Sequence, residues 1–181
     1  KFILSNEGEK LNATKLWQYS SFYTDFALIY PRGDVLVAVD TFDNITCLDI
    51  KSGANISKVL KDEKNMKDVI IEANPCYPFI AIGNSCGNVF CVQLIDPRNP
   101  TLLTEFLLSR EPIQHLRFSN FGHYLLAIDV EWNHFVISTM PGSKQTVLHH
   151  FRREFFMKQF FSIESRNELS IVFLVKSTSS N

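Results

Sequence analysis

The stretch Phe79–Val92, with the sequence FIAIGNSCGNVFCV, is the one that decides the fold of this chain. Two short apolar runs, residues 79–82 and 89–92, flank a segment rich in glycine and asparagine. Short runs that are rich in β-branched and aromatic residues and are bounded by Gly and Asn are typical of a β-hairpin. The stretch therefore predicts two paired antiparallel strands.

The same pattern recurs upstream, from Leu36, and downstream, from Leu125. Aligning the three stretches gives an alanine column, spaced by 43 and 46 residues, and an asparagine column, spaced by 44 and 45 residues. The two columns are Ala38, Ala81 and Ala127, and Asn44, Asn88 and Asn133. A hairpin that returns every 40–50 residues or so indicates the blades of a β-propeller. We therefore predict an all-β chain built of four-stranded antiparallel blades, with the alanine column where neighbouring blades approach closely.

The alternation of apolar runs and turns divides residues 1–176 into five parts of one propeller segment. They are a trailing half-blade (1–20), three full blades (24–60, 68–108 and 112–151) and a leading half-blade (155–176), followed by a polar tail (177–181). In the trailing half-blade we predict strands at 2–5 and 14–19, while residues 155–161 fit either a strand or a short helix. Either further chain completes a ring of about four to eight blades, or the half-blades join into a fourth blade.

The second and third strands of each full blade should be the most buried, because they carry the apolar runs. The residues expected in this core are Ile80, Ala81, Phe90, Leu125, Leu126 and Phe135.

The composition of the chain argues against several classes of function. A net charge of −1 with scattered Lys and Arg argues against a nucleic-acid partner or a membrane surface. No apolar run is long enough to span a bilayer. The chain starts at Lys1 without Met, so we expect it to be a piece of a longer protein. The four cysteines form no Cys-x-x-Cys pair, which favours reduced thiols in the cytoplasm over a disulfide or a metal site.

Residue types suited to catalysis are present, but not in a catalytic pattern. His134 aligns with β-branched strand positions, and His149 and His150 fall on opposite faces of a strand. The carboxylates beside turns are expected to accept hydrogen bonds from backbone amides, and these are Asp40, Asp43, Asp49 and Asp129. A basic and aromatic cluster at 149–158 could stack on RNA, but its Phe residues suit blade packing better. We predict no catalytic, metal or cofactor-binding residue, and no enzyme.

The loops between the second and third strands should gather on one rim of a propeller. Two of them carry a large aromatic residue, Phe42 and Trp132, where a blade has little need for one. We predict that these two, with the adjacent Asp43 and Glu131, contact a protein partner, because exposed aromatics often anchor interfaces. The alternative is that each ring folds back over its own blade.

The residues from Glu111 to Ile128, EPIQHLRFSNFGHYLLAI, resemble the first two strands of a WD repeat. The dipeptide that names the repeat is degenerate, and its three forms are Leu48-Asp49, Val92-Gln93 and Ile137-Ser138. The Gly-His pair expected before each first strand is absent. The resemblance to the WD-repeat superfamily thus implies a propeller whose usual hydrogen-bonded network is largely missing, so that packing must hold its blades.

A closer resemblance is to the WD-repeat region of the cilia- and flagella-associated protein 43 family. It is carried by Ala81–Phe90, by the insertion Asp96-Pro-Arg-Asn-Pro and by Glu111-Pro-Ile-Gln-His. This resemblance implies an axonemal scaffold that tethers an inner-arm dynein to the doublet microtubule and regulates ciliary motility. Two alternatives remain: a general cytosolic WD-repeat adaptor, in trafficking or in a ubiquitin ligase, and, more remotely, a propeller hydrolase.

Overall fold

The structure is a computed structural model that describes residues 2–7, 10–15, 23–29, 33–60, 66–152, 157–164 and 169–175, with the backbone alone in the first two and last two ranges. All regular secondary structure in these ranges is β-strand. The strands are β1 (Phe2–Glu7), β2 (Lys10–Lys15), β3 (Tyr23–Leu28), β4 (Val35–Asp40), β5 (Ile45–Asp49), β6 (Asn55–Lys58), β7 (Ile70–Ala73), β8 (Phe79–Gly83), β9 (Asn88–Gln93), β10 (Thr101–Leu107), β11 (Ile113–Phe118), β12 (Tyr124–Asp129), β13 (Asn133–Ser138), β14 (Thr146–Arg152), β15 (Met157–Glu164) and β16 (Leu169–Val175).

Three of the sheets are four-stranded antiparallel meanders, in which each strand pairs with its neighbours in sequence. We call them blade 1 (β3–β6), blade 2 (β7–β10) and blade 3 (β11–β14). The pairs β1–β2 and β15–β16 form separate two-stranded antiparallel sheets. The first strands of the three blades lie side by side, since β7 contacts both β3 and β11. This arrangement is that of consecutive propeller blades.

The blades stack through alternating side chains of their middle strands. In blade 2, Ile80 and Ile82 pack in one cluster with Val37 of blade 1, whereas Phe79 and Ala81 pack in another with residues of blade 3. This division follows from the two-residue period of a strand, which sends successive side chains to opposite faces. Both faces of blade 2 are therefore hydrophobic core.

The core prediction is confirmed. Each of the six residues named for it is at least 95% buried, and the strands that carry them, β8, β9, β12 and β13, are the most buried parts of their blades. Cys47 and Cys91 are also fully buried, whereas Cys76 and Cys86 are exposed. Burial raises the pKa of the Cys91 thiol to about 12 and that of Cys47 to about 11. These two thiols therefore behave as small apolar side chains.

The alanine column is wrong by one residue in blade 2. Ala38 and Ala127 each precede the turn-opening residue of their blade by two positions, whereas Ala81 precedes Asn84 by three. A shift of one residue reverses the face of a strand. Ala81 accordingly packs toward blade 3, in the same cluster as Ala127, which packs toward blade 2. The expected close approach of blades holds for Ala81 and Ala127, but Ile82 is the true equivalent of Ala38.

Two strand predictions need correction or completion. The second strand of the trailing half-blade is Lys10–Lys15 rather than 14–19, and residues 16–22 lie outside the described residues. The segment 155–161, whose sequence fits either a strand or a short helix, is a strand where it is described, as part of β15. Its first residues, 155 and 156, lie outside the described residues, as does the tail at 177–181. No helix able to cross a membrane occurs in the described ranges.

Candidate protein-interaction rim

The turns that join the second and third strands have one design. We call residues 40–44 turn 1, residues 84–88 turn 2 and residues 129–133 turn 3, and the three together the turn rim. In turn 1, Asp40 Oδ1 accepts hydrogen bonds from the backbone amides of Phe42 (2.8 Å) and Asn44 (3.0 Å). In turn 3, Asp129 Oδ1 accepts the same bonds from Glu131 (3.0 Å) and Asn133 (2.9 Å). Each turn is thus closed by the side chain of its first residue.

Turn 2 closes in the same way with an amide in place of a carboxylate, because Asn84 Oδ1 accepts from the amides of Cys86 and Asn88, both at 3.0 Å. A charged acceptor is therefore not required. In turn 1, burial alone would raise the pKa of Asp40, but the hydrogen bonds from Asn44 and Phe42 hold it below the usual range. These contacts confirm that the carboxylates beside turns serve the backbone.

The fourth residue of each turn has a left-handed backbone, with φ of 60° at Asp43, 80° at Gly87 and 65° at Trp132. This is the three-residue hairpin loop in which a type I turn is followed by a left-handed residue. Asp tolerates that conformation, but for a bulky residue such as Trp it is an outlier that costs free energy. Turn 3 is therefore the strained member of the rim.

The structure separates the predicted site residues. The Phe42 side chain is 84% exposed, so its ring does not fold back over blade 1. The Trp132 ring is half-buried against the apolar cluster of blade 3 that contains Leu126 and Ile128, and lies 6.4 Å from the His115 ring. Blade 2 stands between Phe42 and Trp132, so the two rings do not form one patch.

The two acidic residues have different surroundings. Asp43 Oδ1 accepts a hydrogen bond from the amide of Val69 (3.1 Å), which ties turn 1 to blade 2. Glu131 is exposed and pairs with Arg152 at 3.7 Å. Asp43 thus has a structural role whether or not a partner binds, whereas the charged groups of Glu131 and Arg152 are exposed to solvent.

Charged side chains on the first strands make contacts between neighbouring blades. Asp25 of blade 1 accepts a hydrogen bond from the Ile71 amide of blade 2 (3.0 Å). Glu72 of blade 2 faces Arg117 of blade 3 at 3.7 Å. Burial raises the pKa of Glu72, and the Arg117 guanidinium offsets this only in part. These pairs hold neighbouring blades in register.

The opposite rim contains the loops 74–78, 94–100, 119–123 and 139–145. There Asn74, which is buried, donates from Nδ2 to the Gly122 carbonyl (2.7 Å), and its Oδ1 accepts from the amide of Tyr77 (3.0 Å). The Tyr77 hydroxyl lies 3.2 Å from His123 Nε2. The expectation that packing alone holds the blades is therefore incomplete, because blades 2 and 3 share a polar latch that sequence reasoning missed.

The histidines and carboxylates considered as catalytic or metal-binding candidates are dispersed in the described ranges. No group of three or more His, Cys, Asp or Glu side chains there is close enough to hold a metal ion. His134 is fully buried, with Nδ1 2.7 Å from the Trp132 carbonyl oxygen, and His150 stacks on Phe135. These histidines pack within blade 3.

Comparison with known proteins shows similarity to a protein in sequence and to a solved structure in fold. No protein-family model matches the chain. Over 131 residues the chain is 27% identical to cilia- and flagella-associated protein 43 of Xenopus laevis, a match that covers 66% of this chain and 8% of that protein. The crystal structure of Sqt1 from Chaetomium thermophilum superimposes with a TM-score of 0.54 and 18% identity over 71% of this chain and 33% of that one.

The chain thus spans 8% of the length of cilia- and flagella-associated protein 43 and 33% of the Sqt1 chain. The sequence relative agrees with the resemblance found in the sequence of the three blades, and the structural neighbour shares the fold. The chain is a segment with the fold of WD-like β-propeller blades, similar in sequence to cilia- and flagella-associated protein 43.

Proposed function

We propose that this chain is a non-enzymatic scaffold for protein–protein interaction, and that its turn rim is a partner-binding surface. The observation that carries the proposal is the exposed Phe42 ring. A Phe ring held on a rigid turn can desolvate a large area at low entropic cost, which is how interface anchors work. Asp43 lies next to the anchor in turn 1, and Glu131 and Trp132 add an acidic and an aromatic residue to the same rim in turn 3.

The cellular setting that we propose is the axoneme of cilia and flagella. The similarity to cilia- and flagella-associated protein 43 supports this setting. The partners would then be an inner-arm dynein, other components of its tether and the doublet microtubule. The chain would help to regulate motility by holding the motor in position, without chemistry of its own.

The test is capture of partners by the full-length protein carrying Phe42→Ala in ciliated cells. Removing a central aromatic anchor should weaken partner capture by at least about tenfold, equivalent to a loss of about 1.4 kcal/mol or more. Phe121→Ala is the matched control, because Phe121 is an exposed Phe at the opposite rim. Cross-linking and mass spectrometry of isolated axonemes would identify the partners.

Equal capture by the wild type and by Phe42→Ala would contradict the role of the turn rim. A protein that is absent from axonemes, and that captures trafficking or ubiquitin-ligase components, would contradict the ciliary setting and favour a general adaptor.

A further inference from the structure

A groove runs between blades 2 and 3 at the opposite rim, away from the turn rim. It has a volume of about 520 Å³. Its walls come from the loop 74–78, from strand β10 and from the loop 139–145. We call it the inter-blade groove. This volume is within the range that is usual for ligand sites, about 300–1,000 Å³.

Most of the groove is apolar. Ile95, Leu103 and Met140 line it, and all three side chains are substantially exposed to solvent. Tyr77 and Phe79 contribute aromatic surface beneath them. A contiguous exposed apolar lining of this kind favours an occupant with an apolar side chain, since burial of both surfaces is favourable.

One polar side chain in the groove wall, Gln145, has an oxygen that lacks a hydrogen-bond donor in the described part of the chain. Gln145 is 8% exposed, and its Oε1 has no hydrogen-bond partner among the described residues. A buried amide oxygen without a donor is costly, and most such oxygens in folded proteins are satisfied. This oxygen is closed to solvent, so an N–H group of an occupant reaches it once the Gln145 amide turns toward the groove.

The lining of the groove carries a positive charge. Among the described residues that line it, Lys144 carries the only formal charge, and no carboxylate is present. An acidic residue near the apolar anchor of an occupant would therefore meet a favourable potential, and a basic residue would not.

The backbone beside the groove suits an extended chain. Leu103 and Thr104 belong to β10, which is the edge strand of blade 2 and pairs within its sheet only with β9. The outer edge of such a strand can accept another strand through main-chain hydrogen bonds.

We propose that the inter-blade groove binds an extended segment of a partner polypeptide in which an apolar side chain is close to an acidic residue. The proposal rests on the proposed function only in that the partner is a protein, and the site is separate from the turn rim. The apolar side chain enters between Leu103 and Met140. A main-chain N–H satisfies Gln145, and the acidic group lies beside Lys144.

The experiment uses short random peptides displayed on phage, selected on the immobilised full-length protein. We expect enrichment of peptides with an aliphatic or aromatic residue close to Asp or Glu. The enriched peptide is then synthesised with a fluorophore, and its affinity is measured by anisotropy against wild type and variants.

Strand β10 provides a matched pair of variants. Leu103 lies in the groove and is 43% exposed, whereas Leu107 lies outside it on the same strand and is 73% exposed. Leu103→Glu should weaken peptide binding by at least about tenfold, while Leu107→Glu should change it by less than about twofold. Lys144→Glu should weaken binding by about threefold to tenfold, and less so at high salt.

Gln145→Leu tests the amide without changing charge. We expect weaker binding through loss of an acceptor, with the wild-type stability retained or improved, because a buried unpartnered group is removed.

Several results would overturn the proposal. They are failure of any peptide to enrich, enriched peptides without an acidic preference, and equal losses in Leu103→Glu and Leu107→Glu. Sedimentation that shows a dimer of wild type but a monomer of Leu103→Glu would also overturn it, because the occupant would then be a second copy of the chain. Partner capture through Phe42 is measured separately, so either site can fail while the other stands.

Discussion

Turn 1 and turn 3 share a backbone but present their aromatic rings in opposite ways. Both open with an aspartate that accepts two amide hydrogen bonds, and both have a left-handed residue in the fourth position. In turn 1 the aromatic residue is Phe42, one position before the left-handed residue, and its ring is in solvent. In turn 3 the left-handed residue is itself Trp132, and its ring packs on blade 3.

The difference shows that, in a turn of fixed geometry, one position decides whether an aromatic ring is available to a partner. In turn 3 the side chain at the left-handed position packs on its own blade, and this packing offsets the cost of the backbone. One position earlier the ring receives no such packing. Phe42 is therefore the better candidate for an interface anchor, and Trp132 has a structural role besides any contact with a partner.

The largest effect is expected in turn 2, which has glycine at the left-handed position. A Cβ on Gly87 would lie 2.3 Å from the Ser109 carbonyl oxygen, and the positive φ adds strain. Gly87→Ala should therefore destabilise the full-length protein by about 3 kcal/mol, as the sum of overpacking and left-handed backbone costs. Urea unfolding is the measurement.

Gly142→Ala is the matched control for that variant. Gly142 also has a positive φ, of 76°, but a Cβ there would have no neighbour within 4 Å. Its cost should be about 1 kcal/mol, from the backbone alone. Equal losses in the two variants would show that the Ser109 contact has no influence and that backbone strain alone sets the cost at both glycines.

Much of this architecture could be predicted from sequence because it depends on local patterns. The recurrence of apolar hairpins every 43 to 46 residues gave the three blades, and the alternation within strands gave the buried residues. Alanine identity alone does not fix the register, because it aligns Ala81 with Ala38, whose true equivalent is Ile82. The equivalence of Asp40, Asn84 and Asp129, which side-chain chemistry allows, would have corrected it.

The sites were harder to predict because they depend on contacts between blades. The Asn74-Pro75 pair marks a turn, but nothing near it indicates that its amide donates to Gly122, 48 residues away. The inter-blade groove likewise joins β10 to a loop of blade 3 that lies some forty residues later. Sequence patterns also do not distinguish Phe42 from Trp132. Both are large aromatic residues in equivalent turns, and what separates them is the backbone conformation at each position.

The second prediction tests the strain in turn 3 directly. Trp132→Ala removes the packing on blade 3 but keeps an unfavourable left-handed residue, so it should destabilise by about 2 kcal/mol. Trp132→Gly removes the same packing and relieves the backbone, so it should be more stable than Trp132→Ala by about 1 kcal/mol. Phe42→Ala should change stability by less than about 0.5 kcal/mol, because its ring is exposed.

Thermal and urea unfolding of the three variants measure these differences. If Trp132→Gly were no more stable than Trp132→Ala, then the left-handed backbone of turn 3 would store no strain. If Phe42→Ala were as destabilising as Trp132→Ala, then the contrast between the two turns would be lost.

The smallest effect concerns the charge that opens turn 1, where turn 2 uses an amide instead. Asp40→Asn keeps the acceptor oxygen, as Asn84 shows, so the turn should persist. Because hydrogen bonds hold the pKa of Asp40 below its unfolded value near 3.8, its charge contributes stability that is fully present above that pH and is lost as pH falls through the lower, folded pKa.

The variant should therefore be less stable than wild type at pH 7, by under about 0.5 kcal/mol because water screens this mostly exposed group. The difference should vanish on acidification below pH 3.8, and urea unfolding at the two pH values measures it. A difference that grew on acidification would reverse the sign and show that Asp40 is strained by its charge. Turn 1 would then resemble turn 3 as a strained element, and the exposure of Phe42 would need another explanation.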